Sequence, residues 1–438
     1  MNYGSPFLRV MFGFFWFVFA LTLCSGCQAV KTQEPIQLKM LVMDNAHLSS
    51  ETISQILEEF HADHPGIRIQ AEYAPAQSLH DLAVTALSSN PASVDIVAVD
   101  NTWYPEFVKS GFLVDLTDRI TVRMQEDIFG FAWESTTLDD HRYGLPWVVD
   151  QKYFYYNSVL LHRAGFFTPP STWEEVIAQA RVIREKGVVE YPLVWSWAQS
   201  EASICDWTTL LTGNGGDFLT DTGQPRFNDE VGVETLSWMA STLQEQLSNP
   251  DSVDYLENDV RDVFAQGKAV FAINWLDQYR LTNLPGADSQ VIGQVEMSLM
   301  PVFEGQLRNG VESATVNGSV GISISASSPN PDAAWDFIQY LTSEEVQMKY
   351  TGQSLPVWQS SFEGMNMRAM VEQNPNIEDI APIFNQQQPY SHLRPQVPYY
   401  SVASPLLQEA IHAALTGKMS PQDALNEAAT EWQNMNLP

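Results

Sequence analysis

Basic residues and cysteine are both scarce in this sequence of 438 residues. Its 22 Lys and Arg stand against 53 Asp and Glu, which gives a formal charge of −31, and it contains 3 Cys. There is no dense run of Lys or Arg, which argues against nucleic acid or an anionic membrane surface as the main partner. The acidic excess favours solubility and a neutral or cationic ligand.

The shortage of cysteine excludes a disulfide framework. Cys24 and Cys27 lie in the N-terminal segment, so the folded body keeps only Cys205 and can form no internal disulfide. Cys205 lies among apolar residues in SICDWTTLL, which is typical of a small buried side chain rather than a reactive thiol. With 45% hydrophobic residues and a length that favours two or more domains, the chain can build its core without disulfide bonds, a structural metal ion or a cofactor.

Long hydrophobic runs are absent except near the N-terminus. Val10 to Leu23 form an apolar run that is shorter than the roughly 20 residues of a membrane span, so we predict an export signal over residues 1–26. Ser25-Gly26-Cys27 resembles the lipobox of bacterial lipoproteins, which implies lipidation of Cys27, palmitate included, and a tether over residues 27–35. The protein would then be anchored to the cell membrane and face the periplasm or the cell exterior. Cys24 replaces the usual Leu of that pattern, so ordinary cleavage and retention as an anchor stay open.

After the tether, strand and helix patterns alternate. We predict strands over Ile36 to Met43, Ile67 to Tyr73 and Val94 to Val99, separated by helices with one apolar face. Their apolar runs are typical of parallel strands buried on both faces, and in such α/β sheets ligands lie beyond the carboxyl ends of the strands. Asp44, Asn45 and Asp100 follow the first and third strands, so we expect them at that edge.

The rest of the chain repeats this pattern and ends in helices. Further strands are predicted over Tyr191 to Trp197 and Ala269 to Trp275, and helices over Thr172 to Ile183 and Val231 to Leu247. The first of these helices starts at a capping box, either Ser171 with Glu174 or Thr172 with Glu175. Three later helices are predicted to start at an N-cap followed by proline, at Asn330-Pro331, Ser404-Pro405 and Ser420-Pro421.

Six stretches, in order, resemble family 1 extracellular solute-binding proteins of ABC sugar importers, the group of the maltose- and trehalose/maltose-binding proteins. They are HPGIRI, VDIVAVDNTWYPEFVKSGFLVDLT, YGLPWVVDQKYFYYNSVLLHRAGFFTPPSTWEEV, FAQGKAVFAINW, ISISASSPNPDAAWDFIQYLTSEEVQ and LTGKMSPQDALNEAA. The resemblance implies a two-lobed, type II periplasmic-binding-protein fold with hinge crossovers, which closes like a venus flytrap on a sugar. Residues 36–147 and 302–352 would form the N-terminal lobe, and residues 148–301 and 353–438 the C-terminal lobe.

A sugar ring has apolar C–H faces and a rim of hydroxyls, so its site needs aromatic plates together with carboxylates, amides or Arg. The family positions that the resemblance carries over are Asp100, Trp103, Asp150, Glu201, Trp275, Asn317, Gly318 and Arg394. The strand pattern adds Asp44, and Trp195 or Trp197 is a candidate for the ring that the family's Gln-Tyr-Glu element loses at Ser200. Packing, a solvated acid or a surface ion pair is the alternative role at these positions.

The resemblance implies a monomeric lipoprotein that captures a neutral carbohydrate, more a di- or oligosaccharide than a phosphorylated polyol, and delivers it to ABC permease subunits. It implies no catalysis and no cofactor, metal or nucleic acid. The alternatives are a sensing lipoprotein of the same fold, a polyol or sugar-phosphate receptor, and a glycosidase, for which no acid pair in a hydrolase pattern is present. A metal receptor would use Tyr155-Tyr156, Tyr399-Tyr400, or His61 and His64.

Overall fold

The computed structural model describes Met1 and residues 34–44, 49–351 and 354–435. The export segment with Cys27, and Asn45, lie outside these residues, so the expectations for them stay predictions. In the part of the chain that is described, no helix has both the length and the apolar character needed to cross a bilayer.

The described residues alternate short strands with helices along most of the chain. The strands are β1 (Ile36–Met43), β2 (Ile67–Ala74), β3 (Ile96–Asp100), β4 (Thr137–Leu138), β5 (His141–Arg142), β6 (Leu145–Val148), β7 (Tyr153–Asn157), β8 (Leu193–Val194), β9 (Phe271–Asn274), β10 (Val295–Ser298), β11 (Thr315–Val316), β12 (Val320–Ile324) and β13 (Ser391–His392).

The α-helices are α1 (Ser50–Asp63), α2 (Ala76–Ser88), α3 (Tyr104–Lys109), α4 (Val122–Asp127), α5 (Gly130–Glu134), α6 (Ser158–Ala164), α7 (Trp173–Glu185), α8 (Glu201–Gly213), α9 (Glu230–Gln244), α10 (Glu257–Ala265), α11 (Asp277–Asn283), α12 (Glu304–Arg308), α13 (Pro331–Leu341), α14 (Glu344–Lys349), α15 (Gly364–Gln373), α16 (Ile377–Gln387), α17 (Tyr400–Leu415) and α18 (Pro421–Asn434). In the described part of the chain, they are joined by 3₁₀ turns at Asn101–Trp103, Thr117–Arg119, Pro250–Asp254, Gln359–Phe362 and Gln388–Tyr390.

A five-stranded sheet in the order β2-β1-β3-β12-β6 forms the N-terminal lobe. β1 runs parallel to β2 and β3, as the apolar runs predict, whereas β12 is antiparallel to both β3 and β6. β12 returns to this sheet from residue 320, far along the chain. Local periodicity therefore predicts the parallel part of the sheet but not the antiparallel strands.

A four-stranded sheet in the order β10-β7-β9-β8 forms the C-terminal lobe. Every residue of β7 and β9 is buried, because helices cover the sheet. Its core carries the stacked rings of Trp195 and Trp197, whose centroids are 4.9 Å apart, and the buried face of α17 and α18.

Three short segments cross side by side between the two sheets. Residues 149–152 join β6 to β7, and Gln151 forms an antiparallel bridge with Asn317, just after β11. β11 in turn pairs with β13 in parallel. These crossovers are the connections that a hinge requires.

Most predicted elements are confirmed within one to three residues at their ends. α1 buries Ile53, Ile56, Leu57 and Phe60 on one face, as its periodicity predicts. Of the two N-caps considered for α7, the structure has Thr172: its hydroxyl accepts from the backbone N–H of Glu175 at 3.2 Å, while the Glu175 carboxylate accepts from the N–H of Ser171 at 2.8 Å. Ser420 likewise caps α18 by accepting from the N–H of Asp423 at 3.1 Å.

Two element predictions are wrong. The strand predicted over Tyr191 to Trp197 is shorter, covering only β8. Ser404-Pro405 does not start a helix, because α17 begins at Tyr400 and Pro405 lies inside it. The Ser404 hydroxyl donates to Glu201 instead of capping, and the helix loses a single backbone hydrogen bond at the proline, which lies close to its start.

The predicted lobe boundaries near residues 147, 301 and 352 stay a prediction. The contacts of α16 favour the N-terminal lobe, since the ring of Phe384 lies 5.5 Å from that of Phe129 and 6.2 Å from that of Phe131. α17 and α18 pack in the core of the C-terminal lobe.

Trp432 fixes the last helix to the C-terminal lobe. It is fully buried, and its ring lies 5.7 Å from that of Phe227. We expect Trp432→Ala to lower the free energy of unfolding by about 3–5 kcal/mol in chemical denaturation, because it leaves a cavity. The exposed aromatic Phe167, changed to Ala as a control, should cost less than about 0.5 kcal/mol. Equal losses in the two variants would contradict this packing.

Candidate functional site

A cavity of about 600 Å³ lies between the two lobes. The ends of β1, β3 and β9, the starts of α8, α10 and α11, and the crossovers all contribute to its wall. Seven of the residues predicted from the sequence line it, namely Asp44, Asp100, Asp150, Glu201, Trp275, Gly318 and Arg394. The two lobes thus bring together side chains that lie up to 350 positions apart.

Arg394 joins the two sides of this cavity. Its Nη2 atom lies 2.8 and 3.0 Å from the carboxylate oxygens of Asp100, the last residue of β3. Its Nη1 atom donates to Glu201, the first residue of α8, at 2.7 Å. Burial opposes the charge of this 4% exposed side chain, but Asp100 and Glu201 outweigh it and raise the pKa of Arg394.

These ion pairs change the role predicted for Arg394. The expected bidentate contact with ligand hydroxyls would use Nη atoms that already donate to Asp100 and Glu201. The buried Nε atom has no hydrogen-bond partner among the described residues. Arg394 therefore first serves to orient two carboxylates at the cavity. Glu201 is held further by Tyr400, Gln408 and Ser404, which donate to its oxygens.

Among the described residues that line the cavity, Trp275 is the one that is aromatic. It follows β9 directly, and its indole Nε1 donates to Glu257 at 3.3 Å. Gly318 leaves the space for this ring, because a Cβ at that position would lie 2.4 Å from the indole Cζ3 atom. The predicted glycine is thus needed for close packing against Trp275. The backbone N–H of Gly318 donates to the carbonyl of Asp150 at 2.9 Å.

Asp150 lies in the first crossover and is 3% exposed. Its Oδ1 atom accepts from the N–H groups of Gln151 at 2.8 Å and Leu276 at 3.3 Å. The carboxylate therefore contacts the segment that carries Trp275. It lines the cavity at the place where the two lobes are connected.

Sequence reasoning missed a buried ion pair behind the cavity. Lys152 and Asp206 are both fully buried, and the Lys152 Nζ lies 2.5 Å from Asp206 Oδ1. Burial raises the pKa of Asp206 to about 6 against the opposing effect of Lys152, while Asp206 and Glu257 outweigh burial to raise the pKa of Lys152. Lys152 lies directly before β7 and two positions after Asp150, and this position by itself does not indicate a buried ion pair.

Three predicted ligand residues lie outside the cavity wall. Trp197 is fully buried on Trp195 in the core of the C-terminal lobe, so neither ring replaces the one missing at Ser200. Trp103 packs edge-on to His80 at 5.3 Å and is only partly buried. The buried amide of Asn317 donates to the carbonyl of Phe131 at 3.0 Å and accepts from Ser319 N at 2.9 Å.

The ionisable groups of the cavity wall are mostly acidic. Six carboxylates line it, against the guanidinium groups of Arg261 and Arg394: Asp44, Asp100, Asp150, Glu201, Glu257 and Asp277. Cys205 also reaches the wall, and burial raises the pKa of its thiol to about 12, so it stays protonated near neutral pH. This balance repels anions and accepts donors such as hydroxyl groups.

The residues considered for a metal have structural partners. His61 Nε2 accepts from the N–H of Ile69 at 2.9 Å, and the ring of His64 stacks on Phe60 at 4.3 Å. Tyr155 donates to the carbonyl of Trp275 at 2.9 Å, and Tyr156 to Glu296 at 2.6 Å. Among the described residues, no group of three or more His, Cys, Asp or Glu side chains is arranged to hold a metal ion.

Comparison with known proteins agrees with this architecture. A sequence model of bacterial extracellular solute-binding proteins matches residues 46–348, well over half of the chain. The chain belongs to this family.

Two relatives of this solute-binding protein match it over different shares of its length. A binding protein of Brucella abortus is 22% identical over 406 residues, covering 90% of this chain and 92% of that protein. An ABC transporter-binding protein of Deinococcus radiodurans is 26% identical over 269 residues, covering 60% of this chain and 61% of its own length.

Solved structures show the same two-lobed fold. The maltose-bound MalE3 of T. maritima has 26% sequence identity and a TM-score of 0.79, covering 91% of this chain and all of that one. A solute-binding protein of Agrobacterium radiobacter in complex with ribitol has 23% identity and the same TM-score, covering 92% and 99%. The two-lobed periplasmic-binding-protein fold predicted from the sequence is confirmed.

A second contact joins the lobes of this solute-binding protein near the cavity. Glu106 on α3 accepts from Ser401 of α17 at 2.8 Å and pairs with His80 Nε2 at 2.9 Å. The hydrogen bond to Glu106 raises the pKa of His80. Burial alone would raise the pKa of Glu106, but the hydrogen bonds from His80 and Ser401 outweigh it and lower that pKa.

These shifts define a pH window for the contact. The contact stabilises the fold fully between pH 4.5 and pH 6.5, the ordinary pKa values of Glu and His. This stabilisation is lost as the pH falls through the lowered pKa of Glu106. It is also lost as the pH rises through the raised pKa of His80. We expect His80→Asn to lower the free energy of unfolding by about 1 kcal/mol more at pH 5.5 than at pH 8.5.

The exposed pair of His141 and Asp115 supplies the control for this measurement. His141→Asn should change the free energy of unfolding by less than about 0.5 kcal/mol at either pH. A loss at His80 that is the same at pH 5.5 and pH 8.5 would mean that only ring packing against Trp103 was removed.

Proposed function

We propose that this protein is the substrate-binding lipoprotein of an ABC transporter and that it captures a neutral carbohydrate between its lobes. Cys27 would carry the lipid anchor, and the ligand-loaded form would deliver the sugar to membrane permease subunits. The observation that carries the proposal is the interlobe cavity of about 600 Å³, in which Trp275 shares the wall with carboxylates. A volume in the range of 300–1,000 Å³ suits a small ligand.

The wall chemistry supports a carbohydrate over a phosphorylated compound. An indole packs against the C–H face of a sugar ring, and carboxylates accept hydrogen bonds from its hydroxyls. A phosphate would meet six acidic side chains, and Arg394 is already engaged by two of them. The relatives described with maltose and with ribitol support sugars and polyols as the class to test first.

The number of aromatic plates bears on the size of the ligand. Of the Trp residues predicted to stack on sugar, Trp275 lines the cavity, whereas Trp103 and Trp197 pack elsewhere. We therefore infer one stacked ring. Further rings of a di- or oligosaccharide would be held through hydroxyl contacts with residues such as Asp44 and Arg261.

The proposed mechanism is a population shift between open and closed lobes. A sugar that contacts Asp100 and Asp44 on one lobe and Glu257 and Trp275 on the other gains all its contacts only when the lobes are closed. It therefore stabilises the closed form by its difference in affinity for the two states. No bond of the sugar is made or broken.

A thermal-shift screen tests the proposal directly. Maltose, D-tagatose, ribitol and glucose 6-phosphate would each be added at several concentrations to the purified protein. A sugar or polyol present at 100 times its Kd should stabilise the native state by about 2.7 kcal/mol and raise Tm accordingly. Glucose 6-phosphate should leave Tm unchanged. No response across a broad panel of neutral sugars, or a response to the phosphate alone, would contradict the proposal.

Trp275 should carry a large share of the affinity. We expect Trp275→Ala to weaken binding of the sugar found in the screen at least tenfold in calorimetry, about 1.4 kcal/mol, because the apolar plate is lost. Trp103→Ala is the matched control, since Trp103 lies outside the cavity wall, and its affinity should stay within twofold of wild type. Equal effects of the two substitutions would remove Trp275 from the site.

Asp150 should contribute through hydrogen bonds. We expect Asp150→Ala to lower the affinity at least tenfold, because buried groups that it partners are left unsatisfied. Asp254→Ala, at an exposed acid outside the cavity wall, is the control for loss of charge alone and should bind as wild type does. Unchanged binding by folded Asp150→Ala would contradict the role of this residue.

A further inference from the structure

Lys152 is a buried cation placed directly behind the cavity. Its side chain has no exposed surface, although Lys is almost never fully buried unless it is paired. The Nζ atom lies 5.2 Å from the centroid of the Trp275 ring, within cation–π distance. A full positive charge is thus held against the aromatic side chain of the cavity wall.

The charge of Lys152 is anchored within the C-terminal lobe. Its Nζ donates to Asp206 at 2.5 Å and to the Ser196 hydroxyl at 2.9 Å. The other oxygen of Asp206 accepts from the N–H of Ser196 at 3.2 Å and from its hydroxyl at 3.1 Å. Because well-packed apolar residues often stabilise a core as well as a buried ion pair does, stability alone does not account for this arrangement.

The remaining side of the ammonium faces the cavity wall. Glu257 Oε1 lies 3.8 Å from Lys152 Nζ and accepts from the indole Nε1 of Trp275 at 3.3 Å. Glu257 and Trp275 both line the cavity, whereas Lys152 lies behind them. The charges therefore alternate from Asp206 through Lys152 to Glu257 and end at the indole N–H.

We propose that Lys152 is a positioning residue of the ligand site. Its ammonium, fixed by Asp206, attracts the face of Trp275 and the carboxylate of Glu257, and so holds both in the orientation in which they meet the sugar. This inference rests on the proposed function, because it concerns the same ligand. It adds a residue that does not itself touch the sugar.

The first test needs no ligand. Protein labelled with 5-fluorotryptophan gives fluorine resonances for its Trp residues, and the resonance of Trp275 is the one that disappears in Trp275→Phe. In K152M/D206N, which removes both charges at similar volume, we expect the Trp275 resonance to shift and broaden because the indole samples several orientations. The resonances of the core residues Trp173 and Trp432 should stay in place.

A second ion pair supplies the matched control. Lys349 and Glu59 are exposed in the N-terminal lobe and have the same separation of 2.5 Å between Nζ and Oε1. K349M/E59Q should leave the Trp275 resonance as in wild type. An unchanged Trp275 resonance in K152M/D206N, or equal changes at all Trp residues, would overturn the proposal.

Lys152→Arg keeps the test decisive if K152M/D206N does not fold. Arg retains the positive charge and can pair with Asp206, so a single sharp Trp275 resonance is expected. The variant Lys152→Gln, which lacks the charge, should give a broadened one. A broad resonance in a folded Lys152→Arg protein would contradict the proposed role.

Binding supplies the second readout. Titrations with maltose and ribitol should give about five- to twentyfold weaker affinity for K152M/D206N, the range expected for a desolvated cation–π contact. In a Trp275→Leu background the same double substitution should cause a clearly smaller loss, because only its effect through Glu257 remains. Equal losses in both backgrounds would overturn the proposal. If neither compound binds wild type, the proposed function loses support, while the fluorine spectra still decide the role of Lys152.

Discussion

The guanidinium of Arg394 is the contact on which the arrangement of the site depends. It bonds to Asp100 at the end of β3 and to Glu201 at the start of α8, so one buried cation links the two lobes. Two acids that would repel each other across the cavity are thereby held in defined positions. Removing one partner of such a pair leaves an uncompensated buried charge. The loss in the free energy of unfolding is then much larger than the net stabilisation that the intact pair provides.

The same principle of an acid held by a buried cation recurs on the other side of the cavity. Lys152 and Asp206 lie behind Trp275, and Glu257 completes the set at the cavity wall. The fixed charges thus lie mostly behind or along the wall, and they orient one indole ring and several carboxylates toward the space between the lobes. In the proposed function, an uncharged, hydroxyl-rich molecule fits this surface better than an anion, and its contacts with both lobes would couple binding to closure.

The sequence predicts the architecture well because periodicity and capping are local. β1 is found at its predicted bounds and α13 starts at the predicted Pro331, and Thr172 and Ser420 cap their helices through hydrogen bonds to residues three positions on. It predicts the site less well, because cavity contacts depend on side-chain direction. Trp197 lies between β8 and α8, close to the cavity residue Glu201 in the sequence, yet its side chain is buried in the core. Pro405 is likewise tolerated inside α17. No local signal shows that Lys152 is buried or that Asp206 lies 54 positions away to pair with it.

The central claim is that a neutral sugar lies between the lobes against Trp275 and is left chemically unchanged. The most direct measurement is a crystal structure of the protein grown with the compound that raises its Tm most. The account predicts an intact sugar in the cavity, with one ring packed on the Trp275 indole and its hydroxyls within hydrogen-bond distance of carboxylates from both lobes. A sugar bound elsewhere, or a cleaved product in the cavity, would contradict it.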